Sequence, residues 1–236
     1  MGCRAVLWVV TGASSGIGLE LSRLLCSRGF RVVGVARSVE RLERVRGELG
    51  SCFEYVAADL STVGGVREVV DRVRGLGSVD VLVNNAGSGL YRAVLDHSVE
   101  DLVSIAMTNF VAPLALTREL LPYMGRGSAA VMVVTAGVHV VMRDLPVYGA
   151  AKIALHYALK ALRGELEGRG VHLVEVYPGL VRTEFHERAG RGVSGGVPPG
   201  EVARAIVEAV ERRKRVVYVP RYLALLRAIG PYLPVV

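Results

Sequence analysis

Short apolar runs alternate along this chain with longer stretches in which apolar residues return every three or four positions. The short runs are rich in β-branched residues and end in turn formers, which marks buried strands. The longer stretches have the period of a helix with one buried face. The pattern predicts a strand in "RAVLWVVTG", a helix in "GIGLELSRLLCSRG" closed by Gly29, and a strand in "RVVGVAR". It continues with a helix in "SVERLERVRGEL" capped by Ser38, a strand in "CFEYVAADL" and a helix in "STVGGVREVVDRVRGLG". A strand in "SVDVLVNNAG" comes next, then a long helix over about 98–122 and a strand in "AAVMVVTAG". A helix starting near Tyr148 runs to about 168 and leads into the strand "GVHLVEVYPG". After an irregular, glycine-rich segment at 182–200 come a helix at about 199–212, the strand "RVVYVP" and a short "RYLALLRAI" segment. This alternation predicts an α/β, doubly wound Rossmann fold: a mostly parallel seven-stranded sheet with helices on both faces. No linker or repeat divides the chain, so residues 1–236 are expected to form one domain.

Composition narrows the picture. Hydrophobic residues make up 51% of the chain and mean hydropathy is +0.39, which argues against disorder. The longest apolar run, 129–142, is shorter than a bilayer span, so no integral membrane segment is expected. Cys3, Cys26 and Cys52 are scattered, odd in number and without metal-like spacing. They are read as structural thiols of a reduced, cytoplasmic protein. The net charge of +7 comes almost wholly from arginines spread along the sequence. The dense cluster "ERRKR" at 211–215 suits a solvated helix end better than a nucleic-acid surface. Glutamine is absent and asparagine occurs only as Asn84, Asn85 and Asn109, a scarcity that fits a thermophilic protein or a biased genome.

The candidate chemistry sits at strand ends, where doubly wound sheets bind ligands. "TGASSGIG" leaves the first strand and enters the first helix. Gly12 permits the turn, while Gly16 and Gly18 let backbone approach a phosphate and the helix pack on the sheet. Ser14, Ser15 and Ile17 belong to the same turn, whose helix N-terminus offers amides to a pyrophosphate. At the end of the second strand stands Arg37, with no acid before Glu40, which favours NADP(H) over NAD(H). Asp59, followed by Leu60, ends the third strand; it is placed to accept from an adenine amine or to cap the next helix. Asn85, Ala86 and Gly87 end the fourth strand, where an amide satisfies the turn or faces the cofactor. Tyr148 and Lys152 stand four apart on one helix face, where an ammonium would lower the tyrosine pKa.

"TGASSGIG", "NNAG", Asn109, "YGAAK" and "YPG", in this order and spacing, resemble the short-chain dehydrogenase/reductase family over nearly the whole chain. The length suits the shorter branch of that family. The resemblance implies that Tyr148 is the general acid/base at the substrate oxygen, and that Lys152 lowers its pKa and holds the nicotinamide ribose. It implies that Asn109 holds a water in a proton relay. It also places Pro178, Gly179, Val181 and Thr183 against the nicotinamide. One position departs: thirteen residues before Tyr148, where the family carries serine, this chain has Thr135. Threonine keeps the hydroxyl but adds a methyl and a stiffer χ1, and Thr135 is expected to donate to the substrate oxygen.

His139 and His156 are read as packing or surface residues, and no metal site is supported. Residues 182–200 are expected to form a substrate lid, with Arg182, His186, Arg188 and Arg191 available to an anionic substrate. The apolar segment 215–236 is expected to be a pocket cap or subunit interface. The family resemblance further implies a homodimer or homotetramer. The resulting expectation is an NADP(H)-dependent oxidoreductase acting on a small-molecule carbonyl or secondary alcohol. The alternatives are a 3-oxoacyl thioester reductase and a non-catalytic nucleotide sensor.

Overall fold

The first strand, β1 (Leu7–Thr11), is apolar up to its last residue because it is buried on both faces. A computed structural model of the chain describes residues 6–230. Along β1, Leu7 and Val9 point into one core layer and Trp8 and Val10 into the other, following the two-residue period of a strand. The same holds for β2 (Arg31–Ala36), β4 (Val81–Asn84), β5 (Ala129–Val133) and β6 (His172–Pro178). With β3 (Phe53–Ala57) and β7 (Val216–Val219) they form one seven-stranded sheet in the order β3-β2-β1-β4-β5-β6-β7. Every pairing is parallel, a stricter arrangement than the mostly parallel sheet the sequence predicts. The strand order reverses between β1 and β4, and the crevice outside their carboxyl ends is the expected ligand position.

Helices α1 (Gly16–Ser27), α2 (Val39–Leu49) and α8 (Pro199–Glu211) lie on one face, and α3 (Val63–Arg74) lies on the other. The long helix expected over 98–122 is built in three pieces. These are α4 (Val99–Ala106), a π-helical segment Met107–Val111 and α5 (Ala112–Leu120). Pro113 has no N–H to offer the Asn109 carbonyl four residues earlier, so the ladder widens there. Ser98 starts α4 with a capping box, bonding Asp101 N while the Asp101 carboxylate returns to Ser98 N. The stretch Val99–Tyr123 is long and apolar enough, by length and composition, to cross a membrane. Here Ala112, Leu116 and Leu120 are fully buried against the sheet, while Val99 and Val103 remain exposed.

The helix α6 (Pro146–Gly168) begins with a proline at its first position, where the missing N–H is harmless. The short helix α7 (Phe185–Arg188) lies in the segment read from the sequence as irregular, and α9 (Leu226–Ile229) lies in the short "RYLALLRAI" segment.

The cysteine reading needs correction. Cys26, at the end of α1, and Cys52, just before β3, are joined as a disulfide with Cα atoms 5.7 Å apart. The end of α1 and the turn into β3 meet beside the same core layer, which a separation of 26 residues does not reveal. Cys3 lies outside the described residues, as does the end of the expected cap at 231–236.

Candidate active site

A cleft of about 980 Å³ opens beyond the carboxyl ends of the strands. Of the expected site residues, all but Gly18 and Asn109 line it. Gly18 lies beneath the turn, where any Cβ would strike the Gly12 carbonyl. Gly12 holds φ +71° against the Asn85 amide, and Gly16 holds φ +54° with a Cβ position 2.9 Å from Thr183 Cγ2. These positions exclude side chains and leave backbone bare at the entrance of α1. No acidic residue occupies the first turn of α1, so its amide donors and positive end face the cleft uncompensated. The cradle therefore fits a nucleotide pyrophosphate.

The rationed asparagines have distinct tasks. Asn85 donates from Nδ2 to Thr11 O at 2.9 Å, and its backbone N–H, like that of Ala86, donates to Thr11 Oγ1. It thus ties the end of β4 to the end of β1 while bordering the cleft. Asn84 is buried and donates to Thr117 Oγ1 at 3.2 Å. Asn109 is fully buried behind the cleft, in the π segment. Its Nδ2 donates to Ser88 O at 2.7 Å and Ile105 O at 2.9 Å, while its Oδ1 has no protein donor. A buried acceptor of this kind suits a bound water. Asp59 accepts from Ser61 N at 2.9 Å and does not cap α3, whose cap is Thr62 Oγ1 on Gly65 N.

Thr135, Tyr148 and Lys152 converge at the centre of the cleft. The Thr135 hydroxyl donates to Pro178 O at 3.4 Å and accepts from Gly137 N at 3.1 Å, and it acts to lower the pKa of the Tyr148 phenol. Its methyl is thus no obstacle to facing the cleft. Lys152 is 3% exposed, donates from Nζ to Val133 O at 2.9 Å, and stands 5.8 Å from the Tyr148 ring centroid. Burial lowers its pKa from 10.5 to about 8. The Tyr148 phenol is pushed above its ordinary value by burial, which outweighs the lowering contact with Thr135. Desolvation dominates both groups and outweighs any lowering of the tyrosine pKa by the Lys152 ammonium, which is directed at a backbone carbonyl. In this state Tyr148 is a proton donor.

The wall on the substrate side is largely apolar, with Leu90, Val140, Met142, Leu145, Phe185 and Leu226 facing the cleft. Leu223 joins them, so residues 221–229 close the cleft from the C-terminal side. The Phe185 ring lies 5.2 Å from that of Tyr148. Three of the four lid cations offered to an anionic substrate have other partners. His186 Nδ1 meets Tyr91 OH at 2.8 Å, Arg191 pairs with Asp144, and Arg188 donates to Ser15 Oγ at 3.1 Å. Arg182 is exposed and does not line the cleft. Sequence reasoning missed Arg41 and Tyr91, both on the cleft wall. The former follows Ser38 by three residues, a spacing that could have flagged it. His139 and His156 pack against Tyr218 and Tyr177, at 2.7 Å in each case, and burial lowers both their pKa values.

A nucleotide cradle, a tyrosine–lysine pair and a hydroxyl at the end of one parallel sheet define an oxidoreductase of the dinucleotide-binding class. Residues 7–193 match the family profile described as short chain dehydrogenase. The chain belongs to the short-chain dehydrogenase/reductase family. It is 32% identical over 180 residues to a serine 3-dehydrogenase of Agrobacterium fabrum, an alignment covering 75% of this chain and 72% of the relative. A short-chain dehydrogenase from Sphingobium yanoikuyae in complex with NADPH superposes with a TM-score of 0.85 at 28% identity, covering 93% and 90% of the two chains. A Burkholderia phymatum short chain dehydrogenase/reductase in complex with NAD has a TM-score of 0.84 over 94% and 92%, and at 22% identity shows the shared fold. The protein is thus an oxidoreductase acting on an alcohol or carbonyl with a nicotinamide cofactor.

Proposed function

We propose that the protein is an NADP(H)-dependent reductase of apolar ketones, or dehydrogenase of the matching secondary alcohols. Tyr148 serves as its general acid/base. The observation that carries this reading is the convergence of Thr135, Tyr148 and Lys152 in one apolar-walled cleft that begins at the glycine turn.

The amides of Gly16–Gly18, Asp59, Asn85–Gly87, Lys152, Pro178–Gly179 and Thr183 would hold the cofactor. When bound, the nicotinamide supplies or accepts hydride at the carbonyl carbon. The chain does the rest. The Thr135 and Tyr148 hydroxyls hold the substrate oxygen, and Tyr148, kept protonated by burial, delivers a proton to it. Lys152, charged below about pH 8, makes the phenol a readier donor. The free Asn109 Oδ1 accepts from a water that links Lys152 to solvent. Arg37, exposed at the end of β2 with no acid at that strand end, favours the 2′-phosphorylated cofactor.

The apolar wall favours a neutral ketone over a phosphopantetheine-linked thioester, since on the substrate side Arg191 is paired with Asp144 and Arg182 lies outside the cleft. Intact Tyr148 and Lys152 argue against a nucleotide sensor without turnover. The exposed Val99, Val103 and Val111 of the α4–α5 stretch, with Ile153 and Tyr157 of the adjacent α6, favour a homo-oligomer.

The test is a panel of ketones, secondary alcohols and acetoacetyl thioesters assayed with NADPH, NADH and their oxidised forms. Turnover of hydrophobic ketones with NADPH is expected. Activity confined to thioesters, or preference for NADH, would overturn the substrate or cofactor reading respectively.

A further inference from the structure

Three guanidinium groups gather at one rim of the cleft, supplied by different parts of the fold. Arg37 ends β2, Arg41 lies in the first turn of α2, and Arg188 ends α7 in the segment that covers the cleft. One carboxylate stands among them: Glu184 pairs with Arg41 and lies 3.9 Å from Arg188 Nη1. The neighbouring Arg44 has its own partner in Glu40, at 3.4 Å. Arg37 has no hydrogen bond or ion pair among the described residues. The rim therefore carries a surplus of two positive charges.

Like charges held this close raise one another's energy unless an anion joins them. Burial, Arg41 and Arg37 all act to lower the pKa of Arg188, and Glu184 only partly offsets them. The Arg188 fork also reaches into the glycine turn, where Nη2 donates to Ser15 Oγ at 3.1 Å. Ser15 is the N-cap residue of α1, yet its side chain makes no capping bond. Arg188 and Ser15 thus present a guanidinium and a hydroxyl on the cradle side of the rim. Arg37, Ser38 and Arg41 present theirs from the β2–α2 side. A phosphate monoester dianion matches a surplus of two charges and the planar forks of arginine; a singly charged phosphodiester does not.

We propose that Arg188, a residue of the lid, binds the 2′-phosphate of NADP(H) together with Arg37 and Arg41. This rests on the NADP(H) reading and adds its consequence for the substrate wall. Phe185, which packs on Tyr148, and His186, which bonds Tyr91, lie within one turn of Arg188 on α7. The adenosine phosphate and the substrate wall therefore share one short helix.

Calorimetric titration of the intact protein with NADP⁺, NAD⁺, adenosine 2′,5′-bisphosphate and AMP tests this without turnover. Arg188→Gln is expected to weaken NADP⁺ and adenosine 2′,5′-bisphosphate about tenfold and to leave NAD⁺ and AMP within about twofold. Glu184→Gln frees both arginines and is expected to tighten NADP⁺ about two- to threefold, a gain that misfolding cannot imitate. If wild type prefers NADP⁺ and Arg188→Gln keeps that preference, or weakens NAD⁺ equally, the assignment of Arg188 is overturned. If wild type binds NAD⁺ as tightly as NADP⁺, the NADP(H) reading itself falls, and the assignment with it.

Discussion

Replacing Lys152 by methionine removes a buried ammonium while keeping much of the side chain's length and volume. Burial lowers the lysine pKa from 10.5, its value in an unfolded chain, to about 8. A base whose folded pKa lies below its unfolded one destabilises the fold wherever both states are protonated, here below about pH 8. At 1.36 kcal/mol per pKa unit that penalty is about 3 kcal/mol. It is relieved as pH rises from about 8 toward 10.5, where only the unfolded chain still holds the proton. Lys152→Met removes the penalty but leaves the Val133 carbonyl without its donor, which returns about 1–3 kcal/mol. At about pH 7 the variant should match wild type or exceed it by up to about 2 kcal/mol, although it lacks the residue proposed to assist Tyr148. Between about pH 7 and pH 10 wild type should gain about 2–3 kcal/mol relative to the variant. Urea unfolding followed by circular dichroism at both pH values measures this, because the difference between the two proteins cancels every other titrating group. A difference that is the same at both pH values, or a variant destabilised by more than about 3 kcal/mol at pH 7, would refute the reasoning.

Thr135→Ser should keep activity, whereas Thr135→Ala should lower kcat about 10²–10³-fold in steady-state assays, because it removes a donor to the substrate oxygen. In the reduction direction kcat/KM should fall as pH rises through about 8, where Lys152 loses its charge; a rate flat to pH 10 would count against its role. Cys26→Ser opens a 26-residue loop. Loop-closure entropy puts the loss at about 3.5 kcal/mol, or about 7–14 °C in Tm for a chain of this size, readable by calorimetry. Tyr157→Glu places charge on the exposed face shared by α6 and α4, and light scattering should show a smaller assembly than wild type.

The doubly wound sheet was legible because burial on both faces leaves its mark in sequence, as near-continuous apolar runs such as Leu7–Thr11. The cradle was legible because its glycine spacing is local: Gly12 and Gly16 hold positive φ in the turn, and a Cβ on Gly18 would meet the Gly12 carbonyl six residues back. What stayed hidden depends on long-range approach. The Cys26–Cys52 disulfide requires the end of α1 to meet the turn before β3. The Arg41–Glu184 and Arg188–Ser15 contacts join residues 143 and 173 positions apart. The burial of Tyr148 and Lys152, which governs both pKa shifts, was hidden for the same reason, since spacing on a helix gives proximity but not burial. The π segment around Asn109 had a local signal in Pro113, four residues on, that helical periodicity alone passes over.

The central claim is that Tyr148 moves the proton in a reaction the chain carries out on a carbonyl or alcohol. Tyr148→Phe tests it most directly, with turnover of a reduced ketone and NADP⁺ affinity measured on the same preparation. The expected result is a loss of kcat of about 10³-fold or more with the cofactor Kd held within about twofold. Turnover kept within about tenfold of wild type by a variant that binds cofactor normally would contradict the account.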